Sequence, residues 1–188
     1  MLEVPGGGIW SFLSNLHDES PMGHKEHKAQ SPSIVSCAVV TVSDTRTSET
    51  DTSGALIRKL LSDHGHRIAS SHWVKDEPIE VQNLLTVLKS KPDVQVVILN
   101  GGTGISKRDG TYEAVAGSLE KRLDGFGELF RSLSYQEIGS AAMMSRAVAG
   151  TYGGKVVISI PGSEAAVRLA MEKLILPELG HLVREINR

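Results

Sequence analysis

The residues of this sequence best suited to chemistry form a glycine-rich loop, residues 101–111, which follows an apolar run. Glycines allow positive φ angles and close backbone approach, so several N–H groups of such a loop can converge on an anion. Lys107 and Arg108 add positive charge, and Asp109 or Thr111 can cap a following helix. The loop matches neither the phosphate loop G-x-x-x-x-G-K-S/T nor the dinucleotide motif G-x-G-x-x-G. It therefore disfavours a nicotinamide or flavin protein.

Three further loops combine polar and small residues, and each follows a predicted strand. They cover residues 43–46, 75–77 and 161–163. In an open α/β sheet, ligands bind beyond the carboxyl ends of the strands, where such loops meet. One glycine loop alone is structural about as often as functional, but four polar loops at strand ends favour a binding site. Its candidate binding residues are Ser43, Asp44, Gly101, Gly102, Thr103, Gly104, Lys107, Arg108, Pro161, Gly162 and Ser163.

Asp76 and Asp109 both lie at predicted strand ends, so their carboxylates could face one crevice. Two carboxylates would repel a bound phosphate unless a divalent cation lies between them. Mg²⁺ held by one or two carboxylates and by substrate phosphates resolves this conflict. The alternative is that Asp109 caps a helix and Asp76 is a solvated loop residue. A capping role is also open for Ser43, Asp44, Asp51 and Ser53.

The surrounding elements alternate between β-type and helical patterns. Strands are predicted at residues 34–43, 67–74 and 94–100, and a hairpin joins residues 147–151 and 156–160. Helices are predicted from Thr52, after Pro78, at 111–122, at 125–135, and after Pro161 and Pro177. Strand–helix alternation with one hairpin predicts a three-layer α/β/α sandwich whose sheet is mainly parallel but mixed.

Composition narrows the class of protein. The 188 residues fit one globular domain, and a net charge of −2 gives no basic field for nucleic acid. No apolar stretch is long enough for a membrane span. The single cysteine, Cys37, lies in an apolar run, where a buried inert thiol is expected rather than a nucleophile. One cysteine and no basic leader favour a protein of the cytoplasm.

Residues 1–32 differ in composition from the rest. They contain three glycines in a row and two Ser-Pro pairs, which predict a flexible extension before a domain at 33–188. Within the extension, Ile9, Phe12, Leu13 and Leu16 have helical spacing and could form a short docking turn.

Taken together, the loop sequences resemble the MoaB/Mog family of molybdenum cofactor proteins. The resemblance runs from about Ser33 to the C-terminus, and residues 130–146 and 174–181 are most similar to the MoaB branch. The segments that carry it are 43–46, 75–77, 100–104, 108–111, 125–128 and 161–163.

The resemblance implies a molybdopterin-binding α/β/α domain assembled into trimers or hexamers. Active members of the family transfer AMP from Mg-ATP to the terminal phosphate of molybdopterin and release pyrophosphate. On this basis Asp76 and Asp109 match the two carboxylates that serve magnesium and nucleotide, and residues 101–104 match the nucleotide and pterin loop. Ser134 falls near a position associated with the pterin, and residues 161–163 match a loop beside the phosphate.

Two residues depart from the family pattern, because Gly110 replaces a β-branched residue and Tyr112 replaces a proline. The MoaB branch also includes members whose adenylylation activity is doubtful, so a non-catalytic pterin-binding or scaffold protein of the same pathway is the second hypothesis. A third is a nucleotide pyrophosphatase like the competence-damage family. The loop of that family reads GGLGPT and is followed by paired aspartates. Residues 101–109 do not have this pattern, which disfavours the third hypothesis.

Overall fold

The computed structural model describes residues 31–188, in which a six-stranded sheet lies between two layers of helices. The helical spacing of residues 9–16 and the predicted extension as far as residue 30 lie outside the described residues. The sheet order is β2-β1-β3-β6-β5-β4. The strands are β1 Ser36–Val42, β2 Arg67–Val74, β3 Val96–Asn100, β4 Lys121–Arg122, β5 Val148–Tyr152 and β6 Lys155–Ile160.

Helices cover both faces of this sheet. They are α1 Thr52–Asp63, α2 Pro78–Lys89, α3 Thr111–Ser118, α4 Asp124–Ile138, α5 Glu164–Ala170 and α6 Leu176–Ile186, with a 3-10 turn at Gly139–Met144 and a π turn at Met171–Ile175. Side chains of α1, α4, α5 and α6 share one apolar cluster with alternate strand residues, and those of α2 and α3 share the other. The predicted three-layer α/β/α sandwich is confirmed.

Parallel pairing brings the predicted site loops to one edge of the sheet. Strands β2, β1, β3 and β6 run parallel, and Thr41, Asn100 and Ile160 are paired neighbours at their carboxyl ends. Val42 is likewise paired with Val74 at the end of β2. The four polar loops therefore start side by side.

The predicted hairpin is confirmed, since β5 and β6 pair antiparallel and Tyr152 lies opposite Lys155. The predicted helix at 111–122 is wrong at its end. It stops at Ser118, and the chain then forms β4 against β5. Backbone bonds from Glu120 N to Thr151 O at 2.8 Å and from Leu123 N to Ala149 O at 2.8 Å satisfy polar groups that a longer helix would have used.

Local signals explain the bounds of α1. Asp51 caps its first turn, with Oδ1 accepting a bond of 2.8 Å from Gly54 N. Gly65 ends the helix with φ +77°, and His66 N reaches back to Leu61 O at 2.9 Å, as in a Schellman motif. Ser53, by contrast, is a helix residue and does not serve as a cap.

Cys37 is the second residue of β1 and lies inside the apolar cluster shared with α1. Its thiol is buried, as predicted, and burial raises its pKa to about 12. Across residues 31–188, no helix is long and apolar enough to cross a membrane.

We expect the Cys37 thiol to stay unmodified by Ellman's reagent at pH 8 in the folded protein, because the thiolate is the reactive form. Since the chain has one cysteine, the absorbance of the released thionitrobenzoate counts this thiol alone. The same protein in denaturant is the control and should release one equivalent. Rapid release from protein that remains folded would contradict the assigned burial.

Candidate functional site

A crevice of about 560 Å³ opens at the carboxyl ends of β1, β3 and β6. Nine of the predicted site residues line it: Ser43, Gly101, Gly102, Thr103, Gly104, Asp109, Pro161, Gly162 and Ser163. Its wall also contains Val42, Thr45, Arg46, Met144, Ser145 and Arg146. Polar side chains, glycine backbone and a few apolar groups thus share a concave surface at the edge where such sheets bind ligands.

Two glycines of the loop are required by close packing. Gly101 has φ +104°, and a Cβ there would lie 2.1 Å from the carbonyl oxygen of Val42. Gly102 has φ +62°, and its Cβ would lie 2.2 Å from Thr111 Oγ1. Only glycine combines positive φ with such close approach of the backbone. The loop is thereby pressed against β1 on one side and the start of α3 on the other.

Asp76 lies behind this loop and is 6% exposed, so the alternative of a solvated residue is wrong. Its Oδ1 accepts bonds from Gly110 N at 3.2 Å and Thr111 Oγ1 at 2.9 Å. Asp76 therefore anchors the start of α3, whose own cap residue Gly110 has no side chain to do so. Within residues 31–188, Oδ2 of Asp76 accepts no hydrogen bond.

Asp109 lies on the crevice side of the loop and is half-buried. Its Oδ2 accepts a bond of 3.1 Å from Ser106 N, and a Cβ on Gly104 would lie 2.5 Å from the same oxygen. Asp109 does not cap α3, so that alternative is also wrong. The carboxylates of Asp76 and Asp109 thus flank the glycine loop, against Gly102 and Gly104 respectively.

The carboxylates of Asp76 and Asp109 suit a cation whose remaining ligands come from a bound phosphate and water. No group of three or more His, Cys, Asp or Glu side chains in the described part of the chain could hold a metal ion alone. Asp76 and Asp109 each retain a carboxylate oxygen with no protein partner there. One or two carboxylates completed by ligand phosphates and water is the arrangement that Mg²⁺ prefers.

The basic residues predicted in the loop, Lys107 and Arg108, do not line the crevice. Arg108 binds both oxygens of Asp44, at 2.9 and 3.0 Å, and Glu77 Oε1 at 2.6 Å. The hydrogen bonds from Arg108 lower the pKa of Asp44. Lys107 is exposed and does not line the crevice. The salt bridges of Arg108 link the glycine loop to the loops after β1 and β2, and they leave little of its charge for a ligand.

Two other arginines line the crevice instead. Arg46 Nη1 donates to Ser53 Oγ at 2.9 Å and to Gly162 O at 3.1 Å, and Ser53 Oγ also donates to Gly162 O at 2.6 Å. Arg146 reaches the glycine loop from the start of β5. Neither arginine was among the predicted binding residues, although Arg46 ends segment 43–46 and Arg146 ends segment 130–146. The predicted hairpin contained a signal for Arg146, because the amino end of an antiparallel strand lies beside the carboxyl ends of its neighbours.

Ser134 does not reach the crevice. It lies on α4, is 5% exposed, and donates its hydroxyl to Phe130 O at 2.8 Å within the helix. This bond to the preceding turn satisfies a buried hydroxyl. In this chain the position assigned to the pterin side therefore does not line the site.

Comparison with known proteins places this geometry in a family. The family model described as "Probable molybdopterin binding domain" matches residues 38–181. A "Molybdenum cofactor biosynthesis protein B" from Bacillus cereus is 56% identical over 168 residues, covering 89% of this chain and 99% of that protein. A crystal structure of a molybdenum cofactor biosynthesis protein B superimposes with a TM-score of 0.82 at 57% identity, covering 85% of this chain and 99% of that one. The tungsten cofactor synthesizing protein MoaB from Pyrococcus furiosus gives a TM-score of 0.74 at 37% identity, covering 84% and 99%.

The sheet, its glycine-loop crevice and these matches define a protein of the molybdopterin-binding-domain family, and the chain belongs to that family. Within the family it belongs to the MoaB branch. The relatives support a role in molybdenum cofactor biosynthesis.

Proposed function

We propose that this protein binds molybdopterin and adenylylates it with Mg-ATP, transferring AMP and releasing pyrophosphate. The observation that carries the proposal is the pair Asp76 and Asp109 on either side of a glycine loop that lines the crevice. Carboxylates beside an anion site are unfavourable unless a cation joins them. Their position therefore fits a nucleotide that arrives with magnesium.

The chain's own residues account for binding of the phosphates. Arg46 provides positive charge in the crevice wall, and the loop backbone provides N–H donors. Magnesium, when bound by Asp76 and Asp109, would offset charge on the phosphate oxygens. The terminal phosphate of molybdopterin is itself the nucleophile toward the α-phosphate of ATP, so no general base is needed. Positioning and charge neutralisation supply the catalysis in such transfers.

A non-catalytic molybdopterin-binding or scaffold protein of the same pathway is the second candidate. The pairing of Arg108 with Asp44 and Glu77 favours it, because this cation is not left for a transferring phosphate. Lys107 is also absent from the crevice wall. The two candidates differ in nucleotide turnover and share the pterin site.

Assembly of the protein into trimers or hexamers in the cytoplasm is part of the proposal. Tyr135 and Met143 are exposed apolar side chains that line one groove between α4 and the 3-10 turn after it. Clustered exposed apolar side chains are typical of protein interfaces.

The proposal is tested by pyrophosphate release from ATP with purified protein. Release should require both magnesium and molybdopterin and should stop when EDTA is added. Release of phosphate or pyrophosphate at an equal rate without molybdopterin would indicate a nucleotide hydrolase instead. Absence of release, with molybdopterin bound, would favour the scaffold.

A further inference from the structure

Arg146 lines the crevice and also forms two hydrogen bonds to the backbone of the glycine loop. Its Nε donates to Thr103 O at 2.9 Å and its Nη2 donates to Gly104 O. Its Nη1 pairs with Glu113, and its guanidinium stacks 4.6 Å from the ring centre of Tyr112. One side chain from the start of β5 thus binds two successive carbonyls of the loop and is held by two residues of α3.

These bonds fix the orientation of two peptide groups. Neither peptide is cis, because no cis peptide bond occurs in residues 31–188. In a trans peptide the N–H points opposite to the carbonyl. With the carbonyls of Thr103 and Gly104 turned to Arg146, the N–H groups of Gly104 and Ile105 point away from it. Neither N–H donates to any acceptor in the described part of the chain.

Gly104 lines the crevice and Ile105 directly follows it, so their two unpartnered N–H groups are donors for an anion bound at this end of the loop. If either peptide rotated by half a turn, its carbonyl oxygen would face the ligand and repel a phosphate. The bond from Arg146 lowers the pKa of Glu113, so the pair remains charged at neutral pH. Glu113 and Tyr112 of α3 thus hold the guanidinium of Arg146 in place.

We infer that Arg146 is a positioning residue, which Tyr112 and Glu113 hold against the glycine loop so that the N–H groups of Gly104 and Ile105 face the phosphates of the bound nucleotide. The inference rests on the proposed function for the identity of that ligand. A planar guanidinium is required, because lysine cannot bind two carbonyls and stack on a ring at once.

The test is titration calorimetry with ATP, and separately with inorganic pyrophosphate, in the absence of molybdopterin. Arg146→Lys retains the charge and should weaken binding of both probes by at least about tenfold, because an ångström of misplacement is enough for such losses. Tyr112→Leu removes the stack and should weaken binding roughly threefold, whereas Tyr112→Phe keeps the ring and should bind normally. Melting temperatures show that each variant is folded.

Tyr152→Leu is the matched control. It removes a second stack, with Lys89 at 4.9 Å from the ring centre, in the hairpin at the other end of the sheet. Normal ATP and pyrophosphate binding by Arg146→Lys, or equal losses in Tyr112→Leu and Tyr152→Leu, would overturn the inference. So would a wild-type protein that binds neither probe. A wild-type protein that binds ATP but never transfers AMP would overturn the proposed function alone.

Discussion

Asp109→Asn is expected to lower the rate of AMP transfer by about 10²-fold or more, the loss typical of one well-placed electrostatic group. The substitution keeps the shape of the side chain, and the amide oxygen can still accept the bond from Ser106 N. Only the negative charge beside the crevice is lost. Rates are measured as pyrophosphate release with molybdopterin across a range of magnesium concentrations. Asp76→Asn should act in the same direction.

A separate expectation concerns ATP binding without magnesium. It should be unchanged or tighter in Asp109→Asn, because a carboxylate no longer repels the phosphates. Asp63→Asn is the matched control, since that carboxylate is exposed on α1 and pairs only with Lys59 among the described residues. Near-normal turnover in Asp109→Asn, with an unchanged dependence on magnesium, would rule out the metal role.

Gly101→Ala is expected to lower the free energy of unfolding by about 3 kcal/mol, from a positive φ and an overpacked contact together. The new Cβ would lie 2.1 Å from the backbone oxygen of Val42, which cannot rotate away as a side chain would. Urea denaturation measures the change. The crevice should be deformed in any folded fraction, so ATP binding should also be weakened.

Gly154→Ala separates the cost of positive φ from the cost of the overpacked contact. Gly154 also has positive φ, +73°, but a Cβ there meets nothing within 4 Å. Its cost should be about 1 kcal/mol, from conformation alone. Equal destabilisation by the two alanines would show that the contact with Val42 O is not what requires Gly101.

Much of the fold could be predicted from local sequence patterns, because the packing of the sheet and helices favours the same elements. The apolar run of β3 is buried on both faces, and the Gly-Gly turn joins β5 to β6, so each pattern had one structural solution. Strand β4 could not be predicted, because Lys121–Arg122 is two residues long and is defined only by its partner β5. A two-residue strand has no periodicity to detect.

Placement of the site loops was predictable for the same reason, but the partner of each side chain was not. The sequence predicted Arg108 as a cation for a ligand, but in the fold its guanidinium pairs with Asp44 and Glu77. Asp76 looked like a loop residue because its partner Thr111 lies 35 positions away. Such pairings depend on the folded distance between loops, which spacing along the chain does not encode.

Transfer of AMP to molybdopterin can be followed with ATP labelled at the α-phosphate. With magnesium and molybdopterin present, the label should appear on the pterin in step with pyrophosphate release, and Asp109→Asn should abolish most of it. If molybdopterin binds to the protein while all of the label stays in ATP, the protein does not transfer AMP.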